Sequence, residues 1–537
     1  MGWYRFGRRG RALCGNERMS AVFADPVAET IEVPLVVDLD GTLIRSDLLF
    51  ESLARMIGQR PWLLLLVPFW FLRGRAYLKS RLAVVGRLDA RWLPYRRAVV
   101  DWLRSERARG RSLILATAAD QRLAKAVADH LGLFDMVLAS EAPHINLKGA
   151  AKRDALVARF GARGFDYAGD ALADLPIWRL ARRSVVVAPG ARLLAALQAS
   201  SVAEQSHPNE AAANIAARGC IRIERTMDAP GVGAWLQLRV WVKALRVHQW
   251  VKNILVFLPL LAGQSLGDPY LLVRAVLAFL AISFCASGTY LINDLLDLEA
   301  DRQHPRKHSR PFASGALPIL EGLAVAPALM AMGLAVAALL SPMTCLLVAL
   351  YVVSTTLYSL WLKRKMLVDV FMLAMLYTLR VLIGGEATGV LSSVWLLAFS
   401  IFTFLSLGAA KRGAELLHLE RAGRMVTGGR DYYVWDRDAV AMIGLASAFG
   451  AALVLALYLQ SDGVRLLYTQ PSWLWLLVPL LLYWLLRTWM VTLRGAMHDD
   501  PIVFAATDRL TWCIAGACGL LLGLAKWAST GLPGVVP

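Results

Sequence analysis

From residue 246 onward the chain carries one apolar run after another, each about as long as a bilayer is thick, and no water-soluble fold can hide that many. Segments of roughly 17–23 residues fall near 250–267, 271–293, 319–340, 343–360, 367–385, 393–410, 439–459, 472–491 and 510–529. Backbone polar groups in hydrocarbon must be satisfied internally, so about nine spans predict an all-α polytopic membrane bundle. Residues 1–245 differ: they are rich in Arg and Asp and contain no clean run of spanning length.

That contrast predicts two domains of unlike composition in the 537 residues. We place a soluble domain at 31–195, an Ala-rich linker at 196–238 and the membrane domain at 239–537, with residues 1–30 disordered. The early arginines Arg5, Arg8, Arg9 and Arg11 precede no apolar signal-peptide segment.

Charge sets an orientation. Arg302 to Arg310, Lys363 to Lys365, Lys411 to Arg437 and Arg487 to Arg509 fill the loops after alternate spans, while Arg465 is almost alone on the opposite side. The positive-inside rule then puts the soluble domain and the basic loops in the cytoplasm, and the C-terminus outside an inner membrane. It also accounts for much of the net charge of +18, which is accompanied by no nucleic-acid motif, so nucleic acid is excluded as a partner. The six cysteines are scattered, without metal-site spacing.

The richest polar stretch lies at the end of the second span, Asn293-Asp294-Leu-Leu-Asp297-Leu-Glu-Ala-Asp301-Arg-Gln-His304. Asp294, Asp297 and Asp301 are spaced i,i+3 and i,i+4, which predicts one carboxylate patch on a continuous helix. Bare carboxylates that close repel, so the spacing points to Mg²⁺ holding the phosphates of a substrate, and Arg302, Arg306, Lys307 and Arg310 suit an anion.

In the soluble half, a buried strand at 31–37 runs into Asp38-Leu-Asp40-Gly41-Thr42-Leu43, placing carboxylates at a strand's carboxyl end. A second strand, 112–116, ends at Thr117; Lys152 opens a helix; and Phe165-Asp-Tyr-Ala-Gly169 leads to Asp170 and Asp174. In this order the elements resemble the haloacid dehalogenase superfamily over about residues 32–190. The resemblance implies a Rossmann-like α/β fold with a helical cap, here at 45–105, and phosphohydrolase activity. It makes Asp38 the nucleophile and Asp40 the general acid/base, with Thr117 and Lys152 on the phosphoryl group. It also assigns Mg²⁺ to Asp38, Asp170 and the Asp40 carbonyl, with Asp174 at or just behind the metal. Lys148 competes with Lys152 for the lysine role; we prefer Lys152 because it begins a helix before the last strand. Within the cap, the apolar stretch 62–72 is too short to span; it reads either as a buried core helix or as an interfacial segment.

Leu245-Arg246-Val-His248-Gln-Trp250-Val-Lys252-Asn253 before the first span, and NDxxDxxxD after the second, resemble the UbiA superfamily of intramembrane prenyltransferases over nearly all of 240–530. The second Asp-rich DxxxD motif of its aromatic-substrate members is missing, and Lys411-Arg412-Gly-Ala-Glu415 stands there instead. Together with Asp301 to Pro305, Lys307 to Pro311 and Tyr358 to Lys363, this resembles the decaprenyl-phosphate phosphoribosyltransferase branch. The branch implies phosphoribosyl diphosphate and a polyprenyl phosphate as substrates, with Asn293, His304, Arg310, Arg246, Tyr358 and Glu415 at the site. Lys252, Lys363, Arg380, Lys411 and Arg412 are the residue types that bind phosphate, and each is also open to a topological reading. The expectation is therefore a bifunctional enzyme that transfers 5-phosphoribose to the lipid and then removes the 5-phosphate. The alternatives are prenyl transfer to an aromatic quinone precursor beside an independent phosphatase, or a membrane-anchored phosphatase with a lipid-binding half.

Overall fold

The structure, a computed structural model, describes residues 33–141, 147–190, 192–197, 223–227, 234–390, 393–425, 430–497 and 501–527. The disorder expected over 1–30 lies outside the described residues. The chain divides into two compact units, one holding the described residues up to Leu43 and from Arg96 to Ala229, the other those from Ile44 to Tyr95 and from Pro230 on.

The first unit is a parallel sheet in the order β3-β2-β1-β4-β5-β6. Its strands are β1 Leu35–Val37, β2 Leu113–Asp120, β3 Met136–Ser140, β4 Asp166–Gly169, β5 Ser184–Val187 and β6 Ile223–Met227. β1 is central, paired in parallel with β2 through Val37↔Leu115 and with β4 through Val37↔Ala168. The inner strands are largely apolar because both faces are covered: Val36, Ile114, Tyr167, Trp178 and Val186 share one core cluster. The chain winds outward from β1 in both directions, so the carboxyl ends of β1 and β4 flank the point where an open α/β sheet opens a crevice. The expected α/β fold is present, with one addition: β6 lies within the stretch 196–238 that the sequence suggests is a linker, and helix Ala234–Ala244 begins there too.

Among the described residues the second unit contains eight helices long and apolar enough to cross a membrane, from Pro269–Leu296 to Arg509–Trp527. The protein is thus an integral multi-pass membrane protein. Helix starts are written in the sequence: Asp268 caps Pro269–Leu296 and Ser341 caps Pro342–Leu360, each with Pro in the first turn, and Ser393 caps Val394–Arg421. The first of the nine expected spans, 250–267, folds differently, as a 3-10 helix Val247–Phe257 followed by the short helix Leu258–Ala262. Pro259, which has no backbone donor, stands in the first turn of that short helix. This broken segment packs tightly, since a methyl group at Gly384 would come within 2.0 Å of the Val256 carbonyl oxygen.

The cap expected at 45–105 ends earlier: helix Arg97–Ala108 belongs with the sheet, and residues 44–95 belong with the membrane bundle. Helix Leu48–Gln59, capped by Asp47, carries Glu51, which is buried and accepts from both terminal nitrogens of Arg302 at 2.6 and 3.1 Å. Arg55 pairs with Glu299, and Ala54 joins Leu291, Leu295, Phe312 and Ile319 in one apolar cluster.

Candidate functional sites

In the first unit, β1 delivers Asp38, and β4 delivers Asp170 and Asp174 beside it. Carboxylate oxygens of Asp38, Asp170 and Asp174 all lie within 4.8 Å of one another. Lys152, buried near the start of helix Ala150–Phe160, places its Nζ 2.9 Å from Asp38 Oδ1 and donates to the Tyr167 hydroxyl at 3.1 Å. Tyr167 in turn donates to Asp174 Oδ1 at 2.9 Å, and Thr42 donates to Asp170 Oδ1 at 2.9 Å. Lys148 is exposed and Lys152 buried against Asp38, which separates the two lysine candidates by position. Thr117 is fully buried, its Oγ1 accepting from the Ala119 backbone at 3.0 Å, and half-buried Asp40 lies near enough to act on Lys152. Tyr167, Thr42 and Arg96, which donates to the Gly41 carbonyl at 2.9 Å, were not singled out from the sequence. Thr42 and Tyr167 lie within the motifs themselves, and their donor chemistry beside neighbouring carboxylates was the available signal.

The charges explain why this cluster suits a cation. Burial, followed by the charges of Asp38 and Asp174, pushes the Asp170 carboxyl up to about 7. Burial and Asp38 push Asp174 up to about 6, and Lys152 is raised because Asp38, Asp174 and Asp40 outweigh the burial that would lower it. A hard divalent ion would relieve this repulsion. Room is kept by Gly41, at φ +78°, where a methyl group would come within 2.1 Å of Asp170 Oδ2. The donor set and the space both fit Mg²⁺.

The acidic segment of the second unit is arranged differently. Helix Pro269–Leu296 stops just before Asp297, and a new helix, Leu298–Gln303, follows, so the expected continuous helical face is interrupted. Asp294 and Asp301 are buried and joined by Arg310, whose Nη1 donates to Asp294 Oδ1 at 3.1 Å and to Asp301 Oδ2 at 2.6 Å. Arg246 also donates to Asp294; its backbone sits at φ +52° and its guanidinium lies over the Tyr290 ring. Asp297 is half-exposed, 3.8 Å from Lys363 Nζ. Among the described residues these three carboxylates do not form an ion-sized set; Arg310 stands between two of them. All are oxygen ligands of the kind Mg²⁺ takes beside phosphates, so the residue types fit the ion in company with a diphosphate.

The remaining expected site residues fall into three groups. Asn293 donates to Ser359 at 2.9 Å, and Tyr358, next in the chain, lies in the field of Lys411. Asp297–Lys363 and Asn293–Ser359 therefore link the acidic segment to 359–363, and Lys411 is half-buried. Arg412 is fully buried and paired with Asp369 and Glu415, while Tyr432 donates to Asp369 at 2.7 Å and Arg430 to Glu415 at 2.7 Å. Arg380 is likewise committed to protein acceptors, donating to Asn253 at 2.9 Å, the Tyr351 hydroxyl at 2.8 Å and the Leu376 carbonyl at 2.6 Å. Lys252 is buried, and His304 is exposed, accepting from the Arg306 backbone at 3.2 Å. Asp369 was missed; a carboxylate opening an apolar span was the signal that could have found it.

Residues 35–179 match haloacid dehalogenase-like hydrolases, and residues 254–514 match the UbiA prenyltransferase family. An uncharacterized protein, y4nM, of Sinorhizobium fredii is 37% identical over 95% of both chains. The nodulation protein NoeC of Azorhizobium caulinodans is 34% identical over 54% of this chain and 94% of its own. A decaprenyl-phosphate phosphoribosyltransferase of Mycobacterium tuberculosis is 32% identical over 53% of this chain and 93% of its own.

Proposed function

The chain belongs to the UbiA prenyltransferase family and carries a haloacid dehalogenase-like hydrolase domain ahead of its membrane half, and from that premise we propose a two-step enzyme. The membrane unit transfers 5-phosphoribose from phosphoribosyl diphosphate to a polyprenyl phosphate, and the soluble unit removes the 5-phosphate. The observation that carries the first step is the pairing of Arg246 and Arg310 with Asp294 and Asp301, beside contacts from Asn293 to Ser359 and from Asp297 to Lys363. Carboxylates suit a magnesium diphosphate, and separate cations suit the second phosphate a lipid acceptor brings. The likeness to the M. tuberculosis phosphoribosyltransferase supports this reading.

In transfer, an oxygen of the lipid phosphate attacks C1 of the ribose, the bond from C1 to the diphosphate breaks, and pyrophosphate leaves. Asp294, Asp297 and Asp301 would hold Mg²⁺, which supplies charge to the departing diphosphate. Arg246 and Arg310 bind the same leaving group, and Lys363 and Lys411 hold the acceptor phosphate. In hydrolysis, Asp38 attacks the phosphorus, and the ester P–O bond breaks as Asp40 gives its proton to the sugar oxygen. Asp40 then takes a proton from the water that cleaves the aspartyl-phosphate. Lys152 neutralises charge on the phosphoryl oxygens, and Asp38, Asp170 and Asp174 would hold Mg²⁺. The basic loops support a cytoplasmic side for both steps.

The test supplies the purified protein with labelled phosphoribosyl diphosphate and polyprenyl phosphate and analyses the lipids. Polyprenylphosphoryl ribose with released pyrophosphate and phosphate is expected. No ribosylated lipid here, with prenylation when a prenyl diphosphate and an aromatic acceptor are supplied instead, would replace this reading with ordinary prenyl transfer.

A further inference from the structure

The stretch between Arg60 and Arg73 is apolar on every side, yet only one side is covered. Leu63, Val67 and Trp70 pack on Met56, Leu78 and Leu82. The other side presents Trp62, Leu65, Phe69, Phe71 and Leu72, with Leu65 75% and Leu72 82% exposed. The 3-10 helix Pro61–Leu66 and helix Val67–Leu72 together reach about 20 Å, against the ~30 Å of a hydrocarbon core, so they cannot cross it.

Their depth is fixed by the preceding helix. Leu48–Gln59 packs along the end of the spanning helix Pro269–Leu296: Ala54 lies among Leu291, Leu295 and Ile319, and a methyl at Gly58 would come within 3.4 Å of the Leu296 carbonyl oxygen. The buried Glu51–Arg302 pair pins that arrangement. The uncovered apolar surface therefore begins at the level where the first long spanning helix ends, in the same compact unit. Exposed Arg60, Arg73 and Arg75 flank it, and Trp62 and Trp70 are of the type that settles at headgroup level.

We propose that residues 61–72 lie flat in the membrane–water interface, with the boundary between lipid headgroups and acyl chains as their partner. The surface continues that of the spanning helices, and its arginine border complements anionic headgroups. The insertion at 44–95 is thereby held on the bilayer. This is independent of which phosphate the hydrolase takes.

The test uses the unaltered full chain in nanodiscs containing anionic lipid and a phospholipid with a photoreactive group high on its acyl chain. After illumination, tryptic peptides are mapped. Adducts on the peptide from Met56 to Arg73, alongside those on spanning helices, are expected. Labelled spanning helices with an unlabelled 56–73 peptide would overturn the proposal. In a cysteine-free full-length background, nitroxides at Leu65→Cys and Phe69→Cys should be relaxed several-fold more by oxygen than by a water-soluble nickel chelate, with the reverse at Val84→Cys. Stronger relaxation by the chelate at 65 and 69, or shielding from both agents by a second copy or another protein, would also overturn it.

Discussion

Asp38, Asp170 and Asp174 crowd together against one lysine, whereas Asp294 and Asp301 are held by two arginines and Asp297 stands apart beside Lys363. Both sets are acidic, yet their charge is answered from different places. In the soluble unit the repulsion is left standing, visible in Asp170 pushed up to about 7 by burial and then by Asp38 and Asp174. An ion from solution would relieve it before substrate arrives. In the membrane unit, arginine already answers the carboxylates, so a divalent ion has reason to bind only when a diphosphate brings further negative charge and draws the guanidinium groups onto itself. One acidic set keeps its repulsion; the other has it answered by arginine.

The largest effect that separates them is expected from Asp38→Asn, which should lower phosphomonoester hydrolysis by at least about a thousandfold. Lipid ribosylation should continue, leaving the 5-phosphorylated lipid to accumulate by mass spectrometry. Identical products from this variant and the parent would assign the soluble unit another substrate. Asp294→Asn should act in the opposite sense, reducing transfer by roughly a hundredfold or more with hydrolysis of a small phosphomonoester intact. Loss of both activities in a folded protein would mean that the sites are not separate.

Arg412→Gln strands Asp369 in a buried position and should cost about 3–5 kcal/mol, read as a lowered midpoint of thermal unfolding in detergent. An unchanged midpoint would contradict its placement in the buried network. Metal binding should depend on pH in the soluble unit: below about 7, protons compete at Asp170, then at Asp174, so the Mg²⁺ needed for half-maximal hydrolysis should rise roughly tenfold for each proton displaced per pH unit. A flat requirement between pH 8 and 6 would remove Asp170 from the metal set. The smallest change is expected from Lys411→Gln, a several-fold rise in KM for polyprenyl phosphate without loss of stability. Unaltered kinetics would return Lys411 to a topological role.

The soluble site was legible because its chemistry lies in short motifs whose residues follow strand ends, and a parallel sheet brings those ends together. What was not legible depends on orientation or pairing. Lys411 and Arg412 are neighbours on one helix, and the turn between them leaves one half-buried and the other inside a buried ion pair. β6, the sequence Ile-Glu-Arg-Thr-Met at an edge of the sheet, reads as linker because strand pairing, rather than an apolar pattern, defines it. Hydropathy finds the first apolar segment, but it does not register the 3-10 geometry there. The acidic spacing was correct in sequence and broken in space, because the helix carrying Asp294 ends at Leu296.

Glu51 and Arg302 are separated by 251 residues, and that interval has a consequence for biogenesis. At ~5–20 residues per second the ribosome takes on the order of tens of seconds to make the second partner after the first. During that time the insertion at 44–95 lacks the surface formed by residues 291–319, with a carboxylate awaiting its arginine and Ala54 still without its apolar cluster. It can settle only after the first spanning helices have entered the bilayer. A gene split between β6 and helix Ala234–Ala244 would place the insertion on one polypeptide and its seat on the other, so the two activities are expected to resist separation at the point where the chain passes between them.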